Sequence, residues 1–133
     1  MPKPVPVADE ASAFYWDAAA RGQLAVQRCA TCGAWHYPPV RACPRCQGED
    51  LQPTEVAGSG TVYTFVVVRQ AFDPAFAADL PYVVAMVALD EDPGLRLLTN
   101  IVGVAPEQVR VGMPVRVAFE QRDGVHLPVF RPC

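Results

Sequence analysis

The chain has 133 residues, a hydrophobic content of 51% and a net charge of −3, which suit one compact domain with a small additional module. Its only lysine is Lys3, so the basic surface typical of nucleic-acid-binding proteins is not evident. The longest apolar run, Tyr82 to Leu89, is far too short for a bilayer span, and no signal-peptide pattern opens the chain. We therefore expect a cytoplasmic protein that binds neither nucleic acid nor membrane.

Residues 1–22 predict an N-terminal arm followed by a helix. Proline alternates with small residues from Met1 to Val7, which is typical of an extended arm. Asp9 to Ala20 then favours a helix, because alanines fill its interior and Asp9 or Ser12 can cap its start. Gly22 stands where a helix often ends in a left-handed residue.

Three consecutive aromatic residues, Phe14, Tyr15 and Trp16, are unusual in so short a helix. Consecutive helical residues point about 100° apart, so the three rings cannot all face one small core. We expect at least one of them to contact a partner protein. The alternative is that the helix lies in a groove between two modules and buries all three.

Four cysteines form two Cys-x-x-Cys pairs separated by ten residues. They are Cys29, Cys32, Cys43 and Cys46. Two such turns can supply all four corners of a tetrahedral zinc site, which leaves no open position for catalysis. A pair of disulfides is the alternative, but a cytosolic chain keeps its thiols reduced. His36 could compete as a ligand, but four cysteines complete the shell, so we interpret it as an ordinary loop histidine.

Residues 23–56 form the predicted zinc ribbon around these cysteines. Leu24 to Arg28 leads into the first pair, residues 35–39 cross to the second, and Leu51 to Val56 leaves the ribbon. Gly58-Ser59-Gly60 follows, and we interpret it as a hinge because no helical pattern comes after it, as a phosphate-binding loop would require.

Residues 57–133 predict five short strands rich in β-branched and aromatic residues. They are Thr61 to Val68, Tyr82 to Leu89, Leu95 to Val102, Val115 to Phe119 and Val125 to Phe130. Five antiparallel strands with a long break between the first two suit an OB-fold barrel, and an open meander is the competing architecture. Asp90 to Gly94 reads as a solvated acidic turn, and Pro106 to Val109 as one short helical turn.

No catalytic constellation is visible in the sequence. The two histidines, His36 and His126, are ninety positions apart, and neither has a cysteine or serine beside it in a nucleophile–base arrangement. The fifth cysteine, Cys133, is the last residue and carries no sign of an activated nucleophile. We expect no catalytic residue in this chain.

The order of these elements resembles the small zinc-ribbon plus OB-fold proteins associated with acyl-CoA metabolism, long classed as a domain of unknown function. The resemblance spans nearly the whole chain and rests on six motifs in the same order. They are the aromatic helix, the two cysteine pairs, Gly58-Ser59-Gly60-Thr61-Val62-Tyr63-Thr64-Phe65, Pro81 to Ala85, Val111 to Val115, and Leu127 to Pro132.

The resemblance implies a non-catalytic subunit of a hetero-oligomer with a thiolase-fold enzyme, such as a thiolase or an aldolase that cleaves steroid side-chain CoA thioesters. The partner would carry the catalytic residues and most of the CoA thioester site, with acyl-CoA at or near the interface. A hot-dog-fold acyl-CoA hydratase is the alternative partner. A single-stranded nucleic-acid binder that stacks bases on Tyr63, Phe65 and Tyr82 is the remaining alternative.

We expect the partner to contact the aromatic surface near the N-terminus. Trp35 and Tyr37 lie between the cysteine pairs and add to the aromatic helix, so together they offer more apolar area than one small module buries. The terminal Phe130 and Arg131 are the next contact candidates.

Overall fold

The computed structural model describes residues 3–133. The first two residues of the predicted arm lie outside the described residues, and residues 3–9 form neither helix nor strand. Helix α1, Ala13–Ala20, begins four residues later than predicted. Asp9 and Ser12 instead close a turn before it, in which the Ser12 amide and hydroxyl both donate to Asp9 Oδ1. Gly22, with φ of 74°, ends the helix as predicted.

Three antiparallel strands form the ribbon sheet. They are β1 Leu24–Cys29, β2 Trp35–His36 and β3 Leu51–Val56, in the order β2-β1-β3. Successive side chains of a strand point to opposite faces. Leu24 and Val26 on β1 face the main core, whereas Cys29 packs on the other face beside Leu51.

The remaining strands form a closed five-stranded barrel, which confirms the predicted OB-fold and excludes the open meander. The strands are β4 Ser59–Val68, β5 Tyr82–Leu89, β6 Arg96–Ile101, β7 Pro114–Arg122 and β8 Val125–Pro132. Their order is β4-β5-β6-β8-β7, and β4 pairs with β7 to close the barrel. The expectation that all pairs are antiparallel is wrong for one of them: β6 and β8 are parallel at Ile101 and Phe130. The reason is that the chain crosses an end of the barrel between β6 and β7.

Two 3-10 helices connect the barrel strands. Pro106–Gln108 occupies the predicted helical turn, whereas Pro74–Asp79 lies in the long break between β4 and β5 and was not predicted. The predicted glycine hinge is partly strand, because β4 begins at Ser59. Gly60 is required there, since a Cβ atom would lie 2.3 Å from the carbonyl oxygen of Ala88.

The ribbon, the helix and the barrel share one hydrophobic core. Tyr15 from α1, Leu24 and Val26 from β1, and Val56 from β3 belong to the same buried cluster as the barrel residues. Phe130 is one of the largest completely buried side chains in that cluster. The zinc ribbon therefore covers part of the barrel core and is not packed only on itself.

The acidic turn after β5 also binds the linker between β3 and β4 and the start of β4, so the prediction that it is merely solvated is wrong. Glu91 Oε2 accepts a hydrogen bond from the Ala57 amide at 3.0 Å, and Asp90 Oδ2 accepts one from the Ser59 hydroxyl at 2.8 Å. The first bond holds the linker between β3 and β4 against the turn after β5, and the second ties the start of β4 to the same turn.

None of the helices within residues 3–133 has the length and apolar character needed to cross a bilayer.

Candidate metal centre and contact surfaces

The four cysteines come together in space as predicted. Their sulfur atoms all lie within 4.8 Å of one another, with Cys29 and Cys46 at 3.6 Å and Cys32 and Cys43 also at 3.6 Å. A tetrahedral zinc ion with bonds of about 2.3 Å requires sulfurs about 3.8 Å apart. The donor set therefore fits zinc, and all five cysteines are free thiols and not disulfides.

The two cysteine turns repeat the same backbone hydrogen bonds. In the first turn the Gly33 amide donates to the Cys29 carbonyl at 2.8 Å, and in the second the Gln47 amide donates to the Cys43 carbonyl at 2.7 Å. The fifth residue of each turn takes a left-handed conformation, with φ of 79° at Gly33 and 64° at Gln47. This local geometry explains why the Cys-x-x-Cys spacing predicts the site so directly.

Backbone amides and neighbouring sulfur atoms shift the pKa values of the cysteine thiols. The backbone N–H of Cys32 lowers the pKa of the Cys29 thiol to about 6. The Gly48 amide lowers the pKa of Cys46, but the adjacent Cys29 thiol and burial outweigh it and raise that pKa to about 12. Four negative sulfurs in one small volume repel each other, so a bound dication favours the thiolate form that it needs.

His36 is not an ordinary loop histidine, contrary to the interpretation from the sequence. It lies on β2 opposite Gln27 of β1, and its Nε2 atom is 3.2 Å from the Cys43 sulfur. Trp35 and Tyr37, its neighbours in sequence, pack against the main core on the other face. Strand alternation thus directs the aromatic residues to the core and the histidine to the cysteine cluster.

Gln27 is a structural residue of the metal centre that sequence reasoning missed. Its side chain is only 8% exposed, and its amide binds both backbone groups of Val40, donating to the carbonyl at 3.0 Å and accepting from the amide at 2.7 Å. The crossover between the cysteine turns is thereby held to β1. The signal in the sequence was a neutral polar residue that, with Arg28 after it, interrupts the apolar segment Leu24 to Cys29.

We expect Gln27→Leu to lower the free energy of unfolding by about 1–3 kcal/mol, because it leaves both Val40 groups without their hydrogen-bond partners. Chemical denaturation of the zinc-loaded protein would measure this change. Gln52→Leu, on the exposed side of β3, is the matched control and should have little effect. A stability of Gln27→Leu equal to that of the unmodified chain would contradict the structural role.

The three aromatic residues of α1 divide between core and surface. Tyr15 is buried, lies edge-on to Trp16 with ring centroids 4.9 Å apart, and approaches the Tyr37 ring at 5.6 Å. Burial, with a contribution from Tyr37, raises the pKa of the Tyr15 hydroxyl far above its usual value. Phe14 and Trp16 are half-buried and keep part of their surface exposed.

The prediction that Phe130 contacts a partner is wrong, because its side chain is 0% exposed. It lies on β8, where barrel closure surrounds it with residues from distant parts of the sequence. Arg131, the adjacent residue, points outward and is exposed. The predicted partner contact of Tyr15 is also wrong, because the Tyr15 ring is buried within the chain.

The barrel exposes an apolar surface that was not assigned from the sequence. Val66 and Leu98 are 60% and 64% exposed, and Val84 and Met86 lie between them across the paired strands. We call Val66, Val84, Met86 and Leu98 the barrel apolar face. The signal in the sequence was the unbroken apolar run of β5, whose residues are apolar on both faces of the sheet.

The aromatic residues proposed as base-stacking platforms already have neighbours. The Arg96 guanidinium lies 3.8 Å from the centre of the Tyr63 ring, and Tyr82 approaches the Phe76 ring at 6.1 Å. Phe65 is half-buried against the core cluster. These contacts do not favour the nucleic-acid alternative.

A cleft of about 310 Å³ opens near the start of β5 and the end of β6. Phe76, Tyr82 and Ile101 contribute to its apolar wall, and two ion pairs, Lys3 with Asp79 and Arg122 with Glu120, line its rim. Among the described residues that line it there is no cysteine, serine or histidine. The cleft therefore offers no cysteine or serine nucleophile with a histidine base.

Two family models match adjoining parts of the chain. The model of the ChsH2 rubredoxin-like zinc ribbon domain matches residues 16–52, and that of the ChsH2 C-terminal OB-fold domain matches residues 53–120. A structure described as the Ltp2-ChsH2(DUF35) aldolase contains a chain with 42% identity and a TM-score of 0.86. The match covers 96% of this chain and 98% of that one.

Two curated relatives extend the comparison. A probable enoyl-CoA hydratase alpha subunit of Thermomonospora curvata is 43% identical over 132 residues, which are 98% of this chain but 40% of the relative. The benzoylsuccinyl-CoA thiolase subunit BbsA of Thauera aromatica is 30% identical over 104 residues, which are 75% of this chain and 68% of the relative. By these matches and by its ribbon and barrel, the chain belongs to the DUF35 family of ChsH2-type zinc-ribbon and OB-fold proteins.

Proposed function

We propose that this chain is the non-catalytic accessory subunit of a thiolase-like acyl-CoA enzyme. The partner reaction would form or cleave a carbon–carbon bond, such as a retro-aldol step on a steroid side-chain CoA thioester. The observation that carries the proposal is the likeness, over almost the whole of both chains, to the ChsH2(DUF35) chain of an aldolase. The relative that is a thiolase subunit supports the same class of partner.

The chemistry of the chain supports an accessory role. The four sulfur ligands complete the coordination of zinc, so the metal stabilises the ribbon and offers no position for substrate. Within residues 3–133, the cleft beside β5 is lined by no cysteine, serine or histidine, so it does not offer a thiol or hydroxyl nucleophile with a histidine base. In this proposal the partner holds most of the CoA thioester and carries out the reaction, and this chain shapes the complex from one side.

The contact with the partner would use the apolar surface that the fold leaves exposed. One region is the N-terminal aromatic surface, formed by the exposed parts of Phe14, Trp16, Trp35 and Tyr37. The other is the barrel apolar face, with Phe72 nearby in sequence on the β4–β5 loop and 84% exposed. Arg131 adds a cation that can pair with a carboxylate of the partner. Exposed aromatic and aliphatic residues of this kind are typical anchors of protein interfaces.

A hydratase partner is the second candidate, because a relative is a probable enoyl-CoA hydratase alpha subunit. The chain spans only 40% of that relative, so the larger part of the relative has no counterpart in these 133 residues. We favour the aldolase-type complex because the likeness to a chain of the Ltp2-ChsH2(DUF35) aldolase covers 96% of this chain and 98% of that one. Mass spectrometry would identify the protein that co-purifies with the tagged chain. The fold of that protein would distinguish the two candidates.

We expect the purified chain alone to leave acyl-CoA thioesters unchanged, because no catalytic constellation is found within residues 3–133. Its thiolase-fold partner should lose activity or solubility when produced without it and regain both on co-expression. Release of free CoA, retro-aldol cleavage and hydration can be followed separately on the same substrates. Turnover by the partner-free chain would contradict the accessory role, and hydration by the complex would favour the second candidate.

A further inference from the structure

His36 lies beside the cysteine cluster, although the tetrahedral site needs no fifth ligand. The four sulfurs already occupy the four positions of a structural zinc site. Yet β2 places the His36 ring against the cluster, with Nε2 at 3.2 Å from the sulfur of the buried Cys43. The distance joins the ring to a ligand atom, which is the arrangement of a hydrogen bond to a ligand and not of a fifth ligand.

We propose that His36 is a positioning residue for zinc, which donates its Nε2–H to the Cys43 thiolate. A metal-bound thiolate carries no proton and can only accept, so the proton of this bond belongs to the histidine. The bond spreads the negative charge of the sulfur and fixes its direction toward the metal. Hydrogen-bonding partners of metal ligands typically affect metal affinity in this way.

The position of Cys43 explains why such a bond has an effect. The first cysteine turn continues directly from β1, because Cys29 is the last residue of that strand. The second turn, residues 43–46, belongs to no strand. It is held by hydrogen bonds within its own loop, such as that of the Cys43 amide to the Gly48 carbonyl at 2.8 Å. His36 therefore connects the less supported turn to the sheet through one of its own ligand sulfurs.

The test compares zinc affinity in three variants by competition with a chromophoric chelator. His36→Phe keeps a planar ring but cannot donate, and we expect its zinc dissociation constant to rise about 10- to 100-fold. His36→Gln retains an N–H donor and should recover part of the affinity. His126→Gln changes the other histidine of the chain, on β8, and should bind zinc as the unmodified protein does.

Two spectroscopic measurements separate positioning from ligation. Cobalt in place of zinc should give the spectrum of four sulfur ligands in both the unmodified protein and His36→Phe. In the unmodified zinc-loaded protein, nitrogen NMR of the His36 ring should show the proton on Nε2. These measurements apply even if His36→Phe folds poorly, because the second one needs no variant.

An affinity of His36→Phe equal to that of the unmodified protein would overturn the proposal. A proton on Nδ1 alone would also overturn it, because Nε2 could not then donate. A cobalt spectrum of the unmodified protein with a nitrogen ligand would show that His36 binds the metal itself, which contradicts a positioning role.

Discussion

Removal of zinc should lower the thermal stability of the whole chain and not only that of the ribbon. Structural zinc sites contribute an apparent binding free energy of about 10–16 kcal/mol in small peptides, and loss of that energy releases the segments that the metal holds. Leu24 and Val26 of the ribbon belong to the barrel core, so the barrel loses part of its apolar cover when the ribbon loosens. We expect Cys43→Ser to lower the melting temperature by more than about 10 °C, since each kcal/mol corresponds to roughly 3–5 °C at this size.

Calorimetry of the zinc-loaded and chelator-treated protein measures this effect, with metal analysis of the same samples. Cys133→Ser is the matched control, because this cysteine is free, exposed and outside the cluster. It should retain zinc and melt as the unmodified protein does. Equal melting temperatures for Cys43→Ser and Cys133→Ser would show that the metal does not stabilise the fold.

Leu98→Asp should weaken the complex with the partner enzyme by more than about 30-fold if the barrel apolar face is the contact. A carboxylate buried in an apolar interface loses its hydration without gaining a partner, and central anchors typically contribute more than about 2 kcal/mol. Leu98 is 64% exposed on the outside of β6, so the change should leave the folded chain intact. Titration calorimetry with the purified partner would measure the affinity.

Val111→Asp is the matched control, because Val111 is 65% exposed but lies in the turn before β7, off the barrel apolar face. Trp16→Ala tests the N-terminal aromatic surface in the same titration, with zinc content measured to verify the ribbon. A loss of affinity confined to Trp16→Ala would place the contact there and exclude the barrel apolar face. If Val111→Asp lowers the affinity for the partner as much as Leu98→Asp does, the loss is a general effect of the added charge.

The zinc site and the strands could be predicted because their determinants are local. Two cysteines three positions apart form one turn, and the left-handed residue that follows each pair is part of the same short segment. The β-branched runs likewise predicted the barrel strands, with boundaries that moved by a few residues where pairing continued, as at Ser59 and Arg122.

Other features depended on residues far apart in the sequence. Phe130 could not be recognised as core because only barrel closure places β8 beside β6 and β7. The role of Glu91 required the acidic turn to meet Ala57, which precedes it by 34 residues. The His36 ring points toward Cys43 because of the register in which β2 pairs with β1, which the sequence does not show.

The sequence by itself therefore determined the metal ligands, the strand-rich composition of the second part and the membership in a family of zinc-ribbon and OB-fold proteins. Cysteine spacing, turn conformation and β propensity each depend on a few neighbouring residues. They can therefore be predicted from the sequence. Only the tertiary structure decided which aromatic side chains are buried, that ribbon and barrel share one core, and which apolar surface remains for a partner. Burial and strand register are properties of segments brought together from distant positions, and no local pattern specifies them.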